Sequence, residues 1–124
     1  MMDNVSDEYF QELIDRAFDS LPNEHRDRVQ NVAILLADQP SPAQRRTADL
    51  RADQTLLGLY EGTPLAQRQG RTGLYPDRIT LFKLPLLTQA HDEAGLYEAI
   101  RHTLWHEIAH YYGLNHTDIH KLEE

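Results

Sequence analysis

Cysteine is absent from the 124 residues. That removes disulfide frameworks and thiolate metal sites together, so any metal must be held by histidine, aspartate or glutamate. Methionine is confined to Met1 and Met2. Basic charge is scarce too, with 12 Lys and Arg against 20 Asp and Glu and a formal net charge of −8. Phosphate binding needs clustered cations, and the only loose groupings are Arg45-Arg46 and the arginines from Arg68 to Arg78, which read as solvated loops. This balance argues against a nucleic acid as the main partner. No run approaches the ~18 apolar residues of a membrane span. The segment Met1 to Glu8 is acidic and lacks a basic-then-apolar leader, so cytoplasmic residence without a membrane partner is expected. The length and a hydrophobic content of 40% predict one domain, residues 1–124, with a modest core.

What the chain does contain is His106-Glu107-Ile108-Ala109-His110-Tyr111-Tyr112-Gly113-Leu114-Asn115-His116. On an α-helix, residues i and i+4 lie about 40° apart around the axis and roughly 6 Å apart along it, so two imidazoles can close on one ion. Glu107 falls about 100° from His106 and about 60° from His110, where it flanks a metal without ligating it. A carboxylate so placed can take a proton from a water acidified by zinc to a pKa of roughly 7. In a chain of this composition the pattern His-Glu-x-x-His arises by chance roughly 0.03 times, which makes a metal-free histidine helix the lesser reading.

Gly113 can adopt the left-handed conformation that ends a helix and turns the chain back toward the site. His116 is the candidate third ligand from its spacing to Gly113, and Asp118 and His120 are the alternatives. His102 forms a second i, i+4 pair with His106, but it stands about 12 Å along the axis from His110, so one ion cannot take all three. It reads as a surface residue or one that supports a ligand from behind. His25 and His91 have no metal-like spacing to the motif.

The remaining chain supplies a scaffold. Ser6 is a plausible cap for a helix carrying Phe10, Leu13, Ile14, Ala17, Phe18 and Leu21 at helical spacing up to Pro22. Val29 to Leu36 reads as a buried strand, Ala43 to Asp53 as loop with a short helical turn, and Leu56 to Gly62 as a second strand. Leu65 to Asp77 reads as a long loop of the kind that often carries function. Arg78 to Leu84 is the expected third strand, ended by Pro85, and its edge could pair with an extended peptide. A last helix is expected from Asp92 or Glu93 to about Tyr112, with Leu96, Ile100, Leu104, Ile108 and Tyr111 on its apolar face.

HEIAHYYGLNH resembles the extended zinc motif of the metzincin metallopeptidases, which implies zinc ligands at His106, His110 and His116 and a general base at Glu107. The chain departs from metzincins in having no methionine downstream of the third ligand. It is more similar to a small bacterial family of minimal zincin-like metallopeptidases, predicted proteases of about this length. Leu57-Gly58-Leu59-Tyr60-Glu61-Gly62-Thr63-Pro64-Leu65, then Pro76-Asp77-Arg78-Ile79-Thr80-Leu81-Phe82, then the His-Glu-x-x-His helix carry that resemblance. It covers the second half of the chain well and the first half only in its helix-then-strand order. In that family the third-ligand place is often an aspartate, which makes His116 a variation. The resemblance implies an α+β, zincin-like fold, a small mixed twisted sheet packed against an active-site helix and an N-terminal helix.

The expected function is a zinc-dependent metallopeptidase acting on a peptide or protein substrate. Glu107 is the expected general base, and strand Ile79 to Lys83 is expected to align the peptide. Tyr111 or Tyr112 could stabilise the oxyanion, although an aromatic at a helix end more often packs. Two other readings stay open: a non-catalytic zinc- or partner-binding module that retains the site, and a small-molecule metallo-amidohydrolase using the same residues. The substrate's identity and the oligomeric state have no signature in the sequence.

Overall fold

Every layer of this fold leans on one long helix near the C-terminus. The computed structural model describes residues 2–26, 32–62 and 77–112. Along the chain run α1 (Asp7–Asp19), α2 (Asn23–Arg26), β1 (Val32–Ala37), α3 (Pro42–Thr47), β2 (Gly58–Glu61), β3 (Asp77–Phe82), α4 (Lys83–Gln89) and α5 (Glu93–Tyr112). Helix α5 starts where the Asp92 carboxylate accepts the Gly95 N–H at 2.7 Å, satisfying a donor that the first helical turn leaves open. Its residues Leu96, Ile100, Leu104, Ile108 and Tyr111 are buried, as their spacing predicts.

Helix α1 supplies the facing layer. Ser6 Oγ accepts the Tyr9 N–H at 3.1 Å, and Asp7 and Glu8 lie at the positive end of the helix dipole. Phe10, Leu13, Ile14 and Ala17 form its buried stripe and join Leu96, Ile100, Leu104 and Ile108 of α5 in one cluster with Ile79, Leu81 and Leu86.

Among the described residues the sheet is mixed, as expected, with strand order β1-β3-β2 and β2 at an edge. Strands β1 and β3 are parallel, with Val32 opposite Asp77, and β2 and β3 are antiparallel, with Tyr60 opposite Ile79. Strand β3 is therefore central, with ladders on both sides. The expectation that Ile79 to Lys83 aligns a peptide fails for that reason, since an interior strand has no open edge to offer. The run Ile79-Thr80-Leu81-Phe82 is buried on both faces, which is what a covered central strand requires. Lys83 lies outside the sheet altogether. It opens α4, is 4% exposed, and donates from Nζ to Asp7 at 2.8 Å.

Pro85 does not end the third strand, which stops at Phe82. It sits in the first turn of α4, where a proline's missing N–H has no helical partner to lose. The segment read as loop from Ala43 to Asp53 contains most of α3, capped by a reciprocal pair in which Ser41 Oγ accepts from Gln44 N and Gln44 Oε1 accepts from Ser41 N. Strands β1 and β2 fall inside or beside their expected spans, and residues 29–31 lie outside the described residues, as does the expected loop from Leu65 up to Asp77, which itself opens β3. Among the described residues no helix is long and apolar enough to cross a membrane.

Gly58 sets how closely α5 approaches β2. A Cβ at this position would stand 2.7 Å from Thr103 Cγ2 on α5 and 3.1 Å from Leu81 Cδ2. Gly58→Ala must therefore push the helix off the strand, and overpacking of this kind lowers stability by about 1–3 kcal/mol. The urea midpoint should fall at constant m-value. An unchanged midpoint would mean that helix and strand are not this close in solution.

Candidate metal centre and general base

An antiparallel ladder bonds alternate residues, leaving the others to turn their backbone groups outward. Phe82 N–H donates to Leu57 O at 2.9 Å, so Leu57, Leu59 and Glu61 face β3, and Gly58 and Tyr60 turn to the outer edge of β2. The Tyr60 N–H finds its partner there in Glu107, whose Oε1 accepts it at 2.8 Å. Glu107 is 8% exposed, and a carboxylate at that depth must be hydrogen-bonded to stay ionised at acceptable cost. Its Oε1 also lies 3.2 Å from His110 Nδ1. Glu107 Oε2 has no hydrogen-bond partner among the described residues.

A carboxylate oxygen only accepts, so His110 Nδ1 carries a proton in this contact. In the neutral ring that leaves the lone pair on Nε2, the tautomer a metal ion needs. The Glu107 hydrogen bond raises the His110 pKa above 6.5, burial opposes the rise, and the carboxylate's charge adds to it. His106, one turn earlier, is partly exposed, and its ring centroid stands 4.7 Å from that of exposed His102 at an interplanar angle of 37°. Two imidazoles with a carboxylate between them suit zinc, whose protein ligands are nitrogen, oxygen or thiolate. His106, Glu107 and His110 thus share α5, whereas His116, Asp118 and His120 lie outside the described residues. Among the described residues no group of three metal-capable side chains comes together.

Two further residues adjoin the base. Tyr60 Oη donates to Asp77 Oδ2 at 2.5 Å, and its ring meets that of Tyr111 edge-on at 6.1 Å. Tyr111 is 1% exposed, so it packs, and the oxyanion role considered for it does not fit that burial. The contribution of Tyr60 to the base escapes sequence reasoning because it comes from a main-chain N–H, which every residue except proline has. Asp77 left only a slight signal, an acidic residue followed by Arg78 ahead of the run from Ile79 to Phe82.

The family model for zincin-like metallopeptidases matches residues 29–124. Among solved structures, a conserved hypothetical protein from Thermo thermophilus is similar in fold, with a TM-score of 0.56 and 21% identity over 87% of this chain and 94% of that one. No curated protein sequence matches the chain.

The contact between Glu107 and His110 has a measurable consequence. In the metal-free protein the His110 imidazole should titrate above 6.5, and Glu107→Gln should lower its midpoint, followed by NMR of the ring protons. A raised histidine pKa adds stability that is fully present below the unfolded value and is lost as pH rises through the folded one. A midpoint indifferent to Glu107→Gln would remove this contact from the solution structure.

Proposed function

The chain belongs to the zincin-like metallopeptidase family, and from that premise we propose that it is a zinc-dependent peptidase with Glu107 as general base. The observation that carries the reading is the setting of Glu107. One oxygen is fixed by the edge of the sheet while the other lacks a partner among the described residues, beside two histidines spaced to share an ion.

His106 and His110 would hold the zinc, and His116 would complete the ligand set. Zinc, when bound, supplies the positive charge that acidifies a water to a pKa of roughly 7 and polarises the scissile carbonyl. Glu107 Oε2 takes the water's proton and hands it to the leaving amine. The Tyr60 N–H on Oε1 keeps the carboxylate from rotating between these two transfers. A peptide or protein in the cytoplasm is the substrate class, handled by one domain spanning residues 1–124.

Glu107→Gln keeps an acceptor for the Tyr60 N–H and removes the base. Zinc content, measured by elemental analysis, should stay at the wild-type level while hydrolysis of denatured casein or a peptide library falls by about 10²–10⁴. Hydrolysis that survives the substitution would sink the assignment of the base. Metal lost from a folded His116→Ala protein, against metal retained, decides the third ligand.

A further inference from the structure

We propose that Asp77 is a positioning residue for the base, acting through the hydroxyl and then the backbone of Tyr60; the inference rests on the role of Glu107 given above. Tyr60 lies opposite Ile79, and Asp77 stands two residues before Ile79 on the same face of β3, so the two side chains are diagonal neighbours. Tyr60 is gripped in three ways. Its hydroxyl is bonded to Asp77 on β3, its ring edge meets Tyr111 on α5, and its N–H holds Glu107 on α5. The hydroxyl bond fixes where the ring lies, the ring fixes the path of β2 at this residue, and that path aims the N–H at Oε1.

The surroundings are built to keep Asp77 in place. It is 5% exposed, and Gly62, at a φ of 151° that other residues rarely adopt, gives it room. A Cβ on Gly62 would overlap the Asp77 carboxyl carbon and its Oδ1, so any side chain there displaces the carboxylate. The exit of β2 and the start of β3 are thus both shaped around one carboxylate, which the Tyr60 hydroxyl bonds.

Tyr60→Phe removes the hydroxyl and nothing else, and Asp77→Asn keeps an acceptor for it. In zinc-loaded protein acting on denatured casein, Tyr60→Phe should lower kcat about tenfold with KM and zinc content near wild type, as a misaimed base would. Asp77→Asn should keep most of the rate. An NMR readout separates this inference from the peptidase reading. The amide proton of residue 60, shifted downfield by a carboxylate acceptor in the wild type, should move upfield in folded Tyr60→Phe and stay in Asp77→Asn. If the wild-type protein hydrolyses nothing, the peptidase reading falls and the amide shift alone decides whether Asp77 sets this bond. An amide shift unchanged in Tyr60→Phe, or equal losses of rate in both variants, would overturn the proposal.

Discussion

The bond from the Tyr60 amide to the Glu107 carboxylate is the constraint on which the arrangement turns, because it joins the edge of the sheet to the helix that carries the histidines. A carboxylate buried without a donor would be several kcal/mol less stable or would take up a proton. Glu107 can sit this deep because an edge strand, unlike an interior one, has an outward N–H to give. That requirement reaches back into the fold. Strand β2 must be at the edge, β3 must occupy the centre, and Gly58 must leave α5 room to descend onto β2.

Among the described residues the buried polar ones are Asp77, Thr80, Lys83, Thr103 and Glu107, and no side-chain nitrogen or oxygen that is itself closed off from solvent lacks a partner. Asp77 and Glu107 meet on Tyr60, and Thr103 lies one turn before Glu107 on α5. Apart from Thr80 and the pair of Lys83 with Asp7, this buried polarity lies on or beside Glu107, whereas the contact between α1 and α5 is apolar. The division lets the apolar half supply stability while the polar half fixes orientation.

Both long helices were legible in the sequence, because apolar positions at helical spacing, a serine cap and a capping aspartate each leave residue-level marks. The two histidines and the glutamate were legible for the same reason, since helical geometry converts their spacing into shared space. The place of β3 was not. A run such as Ile79-Thr80-Leu81-Phe82 suits an edge strand with one covered face or a centre strand with two, and the choice depends on pairings made with residues far along the chain. Pro85 was ambiguous because proline both stops strands and suits the first turn of a helix. Tyr60 could not be read at all in its main role, since a backbone amide has no residue code.

One consequence concerns the order in which the chain can assemble. Helix α1 precedes the other described elements, yet its stripe of Phe10, Leu13, Ile14 and Ala17 is covered chiefly by α5, the last helix described. The tie between Asp7 and Lys83 likewise spans 76 positions. During synthesis α1 must therefore wait, apolar face exposed, until α5 has left the ribosome. Long-range closure of this kind slows folding and widens the interval in which a nascent chain can aggregate or recruit a chaperone. The helix that carries His106, Glu107 and His110 also closes the core, so a chain cut before α5 would lack both at once.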